Sequence, residues 1–214
     1  MTKFSWPLMS NNINQGDKKA LVKFINSSDK FTNGEKVKNF EKKWSKWLGV
    51  KYSTFVNSGA SANLITVKIL QELKRNKTEV IVPAFTWSSD IISVINSGFK
   101  PIFVDINLKN LALNENLVKK KITKNTAAIF LTHAMGFMGI SKKFLDFINK
   151  KKIFLIEDTC ESHGIRLGKK KGGALGQISN FSFYYSHHMS TIEGGMICTN
   201  SKEIDSLARM KRGH

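Results

Sequence analysis

The sequence predicts an α/β fold: three layers, with a mainly parallel sheet and helices on both of its faces. Two observations carry this. From Tyr52 onward, runs of strand length alternate with longer runs of helical period. No internal repeat or low-complexity linker interrupts the series. A chain of 214 residues is also long enough to bury a substantial core in a domain of ordinary size.

Taken in order, residues 1–33 read as an N-terminal arm plus a helix, with Lys18 to Asn26 the periodic part. The sheet-bearing domain covers residues 34–214. Thr32-Asn33-Gly34 is a turn, and Val37, Phe40, Trp44, Trp47 and Leu48 then recur at helical spacing over Glu35 to Leu48. That aromatic stripe is packing. Tyr52 to Val56 is a strand and Ala60 to Leu73 a helix rich in Ala, Leu and Ile. Glu79 to Val82 is a short buried strand ending at Pro83; Ser89 to Ser97 is a helix closed by Gly98. Further strands are expected at Pro101 to Val104, Ala127 to Leu131, Ile153 to Ile156, Phe181 to Tyr185 and Met196 to Thr199. Helices are expected near Asn114 to Lys121, Lys142 to Asn149 and Ser201 to Met210. Sheets of this kind place ligands beyond the strand C-termini. The loops after Val56, Val82, Ile156 and Tyr185 are therefore where chemistry is expected.

Composition narrows the class. Hydrophobic content of 41% with 23% charged residues is that of a globular protein. The apolar runs are too short to cross a bilayer, so no membrane partner is expected. The first residues lack a basic segment followed by an apolar one, and two cysteines, Cys160 and Cys198, make neither a disulfide framework nor a zinc site. A reduced cytoplasmic setting is the expectation. The net charge of +18 favours anionic partners. The lysines, however, lie in many short clusters at turns and helix ends, with no aromatic-interleaved basic repeat. A phosphate-bearing small molecule fits this charge; a nucleic-acid partner is not expected.

The four loops carry the following. After Val56, Asn57-Ser58-Gly59-Ala60-Ser61-Ala62 opens a helix directly from a strand. Amides at that helix start, with the Ser58 or Ser61 hydroxyl, suit a phosphate. The pattern is neither a P-loop nor a dinucleotide fingerprint, which argues against ATP and NAD. After Val82, Trp87 can stack on a flat heterocycle. After Ile156, Glu157-Asp158 offers a carboxylate able to hold a ring nitrogen protonated. Ser182 precedes the adjacent imidazoles His187 and His188, which are followed by Gly194-Gly195. A phosphate cup, an aromatic stacker, an acid and a base at strand ends are what pyridoxal 5′-phosphate (PLP) requires.

Here the resemblance becomes specific. The segments NSGASANL, VIVPAFTWSSD, PIFVDI, IEDTCESHG, GGALGQISNFSFYYSHH, EGGMICTN and ARMKRGH resemble, in order and spacing, the DegT/StrS-type sugar aminotransferases, fold-type I PLP enzymes. The resemblance implies that Asp158 partners the pyridine nitrogen and Trp87 stacks on the ring. It implies that Ser58, Gly59, Ala60 and Ser182 form the phosphate site and that Glu161 faces the cofactor's 3-hydroxyl. It also implies a homodimer and a longer chain. Residues 34–214 would be an incomplete large domain whose small C-terminal domain is missing, with His214 a nucleotide-sugar contact by motif position.

One departure decides the chemistry. The family's Schiff-base lysine belongs seven residues before the Gly-Gly pair, and that position is His187. No lysine lies between Lys171 and Lys202. An imidazole moves protons near neutral pH but does not form the lysine's covalent link. The replacement resembles a lysine-lacking branch of the family, the ketosugar 3-dehydratases. That implies His187 as catalytic base, non-covalent PLP or pyridoxamine 5′-phosphate (PMP), and glutamate as amino donor. The implied substrate is a nucleotide-linked 4-keto-6-deoxyhexose, and the implied product a 3,6-dideoxysugar for lipopolysaccharide. A second branch with the same histidine uses CDP-sugars and an iron–sulfur cluster, for which Cys160 is the lone candidate ligand here. Two other readings stay open: a sugar aminotransferase of the same family, and a non-catalytic or regulatory PLP-fold protein. A metal site at His187, His188 and Glu193 is disfavoured, because adjacent residues of a strand point to opposite faces.

Overall fold

A computed structural model describes residues 11–213. Helix α1 (Gln15–Ser27) and α2 (Glu35–Leu48) lead into strand β1 (Tyr52–Val56) and α3 (Gly59–Leu73). There follow β2 (Glu79–Pro83), α4 (Ser88–Asn96), β3 (Lys100–Val104), the short pair β4 (Ile106–Asn107) and β5 (Ala112–Leu113), and α5 (Glu115–Lys121). Then come β6 (Thr126–Thr132), α6 (Lys142–Lys151), β7 (Phe154–Asp158), the short pair β8 (Arg166–Leu167) and β9 (Lys170–Lys171), β10 (Ile178–Ser182), β11 (Gly195–Thr199) and α7 (Lys202–Arg212).

Seven strands form one sheet in the order β1-β11-β10-β7-β6-β2-β3. The run β10-β7-β6-β2-β3 is parallel, and β11 is antiparallel to both of its neighbours. β1 therefore points the same way as the parallel run, and six strands deliver their C-termini to one edge. This is the predicted α/β architecture.

Alternation along each strand divides the core. Val80 and Val82, Ala128 and Phe130, and Ile156 pack with Ala62, Val67 and Leu70 of α3, Val94 of α4 and Ile204 and Ala208 of α7. Their neighbours Ile81, Ile129, Leu131 and Leu155 pack on the other face with Val118 of α5 and Phe144, Leu145 and Ile148 of α6. The period of two sends consecutive side chains to opposite faces. Each fully buried side chain of this size contributes about 1.5–3 kcal/mol. The stripe on α2 does what was expected: Trp44 and Leu48 are buried against Phe181, Phe183, Met196 and Cys198.

Local chemistry sets the helix starts. Ser58, Asn114, Ser141 and Ser201 each accept a backbone N–H of the first turn. Gly49 closes α2 at φ 88°, a left-handed conformation that glycine adopts without strain. The buried Glu157 organises the glycine-rich connection after β9. Its carboxylate accepts N–H groups from Gly173, Leu175 and Gly176 at 2.7–2.8 Å and the Nε2–H of buried His133 at 3.0 Å.

The short pairs β4–β5 and β8–β9 were not expected, and one expected strand is displaced. The strand predicted at Phe181 to Tyr185 runs from Ile178 to Ser182. Its buried polar residues Ser179 and Asn180 hide its beginning, and the aromatic run past Ser182 imitates strand propensity. Pairing ends where Ser182 meets Gly195; the Phe183 N–H then donates to Gly194 O at 2.8 Å, and His187 N–H to Tyr184 O at 3.0 Å as the chain turns. His187 and His188 thus lie in a loop, not in a strand.

Gly195 marks the tightest contact at this edge. A Cβ there would fall 2.2 Å from Ser58 O and 2.8 Å from Gly59 N. We expect Gly195→Ala to lose about 1–3 kcal/mol in chemical denaturation, the usual cost of overpacking. A loss below about 0.5 kcal/mol would show that the β1–α3 turn moves aside freely.

Candidate active site

The parallel edge gathers the residues named from the sequence. At the end of β1, Ser58 caps α3 with its Oγ on Ser61 N–H at 3.0 Å. Helix geometry leaves the Gly59 and Ala60 N–H groups without a carbonyl four residues back. Gly59 is buried and Ala60 exposed. A Cβ on Gly59 would lie 2.7 Å from Ser182 Cβ and 2.9 Å from Cys160 Sγ. Only glycine lets the ends of β1, β7 and β10 meet so closely. Ser182 is buried at the end of β10 beside this helix start. Free amides, a helix dipole and hydroxyls converge there, which is the donor set a phosphate needs.

At the end of β7, Asp158 is 4% exposed. Its Oδ2 accepts the Asn63 Nδ2–H at 2.9 Å and its Oδ1 the Cys160 N–H at 2.8 Å. The Asn63 side chain also donates to Asp90 Oδ1 at 2.7 Å, and its oxygen accepts from Asn180 Nδ2 at 2.8 Å. Thr66 Oγ1 closes the row on Asn180 Oδ1 at 2.7 Å. A buried carboxylate therefore stands at the sheet edge with fixed orientation. Trp87, after β2, is 68% exposed, available as a flat face. Glu161 accepts the Met135 N–H at 3.3 Å.

His187 lies in the loop after β10, half-buried, with its carbonyl accepting the Asn12 Nδ2–H at 3.0 Å. Burial pushes its pKa down from 6.5; Glu161 and Asp158 pull upward, and His188 again downward. Its ring is thus neutral near pH 7 and able to accept a proton. His188 has a different surrounding. It stacks on His163, ring centroids 5.3 Å apart and planes at 29°. His163 in turn sits edge-on to Trp44, Phe181 and Phe183, with neither ring nitrogen hydrogen-bonded. The two histidines therefore divide: His187 shares the field of Asp158 and Glu161, and His188 covers the aromatic cluster under α2. Among the described residues no group of three or more His, Cys, Asp or Glu could hold a metal ion. His214 lies outside the described residues.

Asn63, Asp90, Thr86, Thr132 and His163 were given no role from the sequence. Asn63 and Thr66 had a signal, since both are polar on the helical stripe that carries Ala62, Val67 and Leu70. Asp90 is the acid of α4's first turn, a placement that carries no signal by itself.

A family model for the DegT/DnrJ/EryC1/StrS aminotransferase family matches residues 12–214. The chain belongs to this family. It is 36% identical over 214 residues to GDP-4-keto-6-deoxy-D-mannose 3-dehydratase of Yersinia pseudotuberculosis, covering 98% of this chain and 54% of that protein. A solved structure of the Escherichia coli GDP-4-keto-6-deoxy-D-mannose-3-dehydratase with bound hydrated PLP superposes with a TM-score of 0.88 at 34% identity, over 95% of this chain and 53% of that one. Another structure of such an enzyme, with a trapped PLP–glutamate geminal diamine, superposes with a TM-score of 0.89 at 33% identity, over 96% of this chain and 54% of that one. The chain thus spans about half the length of the relatives it matches. Among the described residues no helix is long and apolar enough to cross a membrane.

The residues present fit a phosphorylated pyridine. A Cβ on Gly59 would strike Ser182 and Cys160, the amides at the start of α3 have no intrahelical carbonyl partner, and Asp158 is a buried acceptor at the end of β7.

The His163 ring gives a pH prediction. Burial first, then His188 and His187, push its pKa from 6.5 to about 3. The unfolded chain binds this proton at higher pH than the folded one does. The stability His163 contributes is present above pH 6.5 and is lost as pH falls toward 3. We expect His163→Phe to flatten the fall of melting temperature over that window; an unchanged acid limb would place the titrating group elsewhere.

Proposed function

We propose that this chain carries the cofactor-binding part of a PLP/PMP-dependent 3-dehydratase acting on a nucleotide-linked 4-keto-6-deoxyhexose. The observation that carries the reading is His187. By the resemblance it takes the family lysine's place; it lies within the field of Asp158 and Glu161, in a stretch without lysine between Lys171 and Lys202. The similar enzymes of known structure with PLP and with a PLP–glutamate adduct support it.

When bound, the cofactor supplies an electron sink conjugated to an amino group. The chain's own residues do the rest. The Gly59 and Ala60 amides, with the Ser58 and Ser182 hydroxyls, would hold the phosphate. Trp87 would cover the ring face, Asp158 would accept the ring N–H, and Glu161 would face the 3-hydroxyl. Without a lysine, nothing on the protein competes covalently for the cofactor's carbonyl. A ring nitrogen of His187, neutral near pH 7, takes the proton that must be removed before the sugar's C3 hydroxyl can leave. Overall, the C3 hydroxyl is replaced by hydrogen, glutamate is oxidised to 2-oxoglutarate, and ammonia is released. The working unit we propose is a homodimer. Exposed Phe85, Met135 and Phe137, on the loops after the adjacent strands β2 and β6, are apolar surface suited to cover.

The test is a product and mass analysis. With PLP, glutamate and a nucleotide 4-keto-6-deoxyhexose, we expect ammonia and a 3,6-dideoxy ketosugar. His187→Asn should lower the rate at least about 100-fold, the usual share of a positioned base. Borohydride should leave no cofactor on any lysine. An amino sugar as product would instead establish an aminotransferase.

A further inference from the structure

Asp90, the third residue of α4, is fully buried beside Asp158. Its Oδ2 meets the hydroxyls of Thr86 and Thr132, the latter at 2.7 Å, and the two hydroxyl oxygens are themselves 2.7 Å apart. These are three oxygen–oxygen contacts, two of ordinary hydrogen-bond length and the Thr86–Oδ2 one shorter still. A contact that short needs a hydrogen in it, and the two threonines supply two. The third hydrogen has one available source, the Asp90 carboxyl. On the other side, Asp90 Oδ1 and Asp158 Oδ2 share the Asn63 amide, at 2.7 and 2.9 Å. Asp158 differs from Asp90, because both of its oxygens face N–H donors, as an ionised carboxylate's should. Among the described residues neither acid has a Lys, Arg or His partner within ion-pair distance.

We propose that Asp90 is a neutral carboxylic acid with its proton on Oδ2, a positioning residue that leaves the pair's single negative charge on Asp158. Asp90 donates to Thr132, Thr132 to Thr86, and Thr86 back to Oδ2. Oδ1 stays an acceptor for Asn63, and this fixes Asn63 and, through it, the Asp158 carboxylate. The consequence for a pyridine nitrogen rests on the PLP reading; the place of the proton does not. Burial first, and then the charge of Asp158, hold the Asp90 carboxyl well above its ordinary 3.8, against the downward pull of the Thr86 and Thr132 hydroxyls. The groups facing Asp90 are Asp158 from β7, Cys160 from the turn after it, Asn63 from α3, Thr132 from β6, and Thr86 and Ser89 from its own segment. Of these only Asp158 and Cys160 titrate, and burial, with Asp158 next, raises the Cys160 thiol far from neutrality.

Asp90→Asn is the decisive variant. An amide nitrogen at the Oδ2 position donates to the threonines, and an amide oxygen at the Oδ1 position accepts from Asn63, the pattern of the neutral acid. At neutral pH the cofactor-free chain should show an infrared protonated-carboxyl C=O band that D90N lacks and D158N keeps. D90N should bind PLP within about threefold of the wild type, and D90A at least about tenfold more weakly, because D90A strands buried donors. Because the folded pKa is raised, the wild type should lose stability relative to D90N as pH rises above 3.8. A missing band, or one lost in D158N instead of D90N, overturns the proposal. So does a D90N that binds PLP as poorly as D90A. If the wild-type chain bound no PLP, the proposed function would fail while the infrared band still located the proton.

Discussion

The structure depends on a carboxylate placed where it is costly to place one. Asp158 ends β7 inside the sheet edge, almost out of contact with water. A buried charge needs donors, and a strand end supplies few. The donors come from the Cys160 backbone and from Asn63 on α3. That requirement fixes the depth at which α3 crosses the sheet. It also draws α4 into place, because the same Asn63 amide reaches Ser89 and Asp90. The position of two helices thus follows from satisfying one acid.

The second constraint is steric. Gly195 lies on the Ser58 carbonyl, and Gly59 lies on Ser182 and Cys160. A Cβ at either place would separate β1 from β10 and β11 and open the helix start that the amides of Gly59 and Ala60 share. The free helix-start amides and the carboxylate are therefore one assembly: α3 brings the amides at its first turn and Asn63 at its second. Placing the Asp158 carboxylate places those amides with it.

The fold was legible because its signals are local and repeated. Val80 to Val82, Ala128 to Leu131 and Leu155 to Ile156 are apolar on both faces, and the serine and asparagine caps stand next to the helices they start. The edge on which the candidate residues lie was legible by the same logic, since parallel strands send their C-termini to one edge. Asn63 and Asp90 were harder to see. Their role lies in partners 95 and 42 residues away in sequence, to Asp158 and Thr132, and no spacing within the chain announces such a contact. The β10 boundary failed for a related reason: Ser179 and Asn180 are polar inside a strand because their side chains answer Gly173 O and Asn63, contacts that only the folded chain makes.

Electrostatics link the histidine to this network. A free lysine at position 187 would bring a group that is cationic near pH 7 toward Asp158 and Glu161. A half-buried imidazole, its pKa lowered by burial, brings none near pH 7. The edge must then limit its own negative charge, because two ionised carboxylates sharing one amide donor without a cation would be strongly unfavourable. Holding Asp90 neutral removes that second charge. The histidine and the protonated acid are in this sense complementary: a base that stays uncharged suits a site whose buried acids carry one charge between them. His188 serves a different end, closing the aromatic cluster over His163, and so leaves its neighbour's imidazole alone in the field of Asp158 and Glu161.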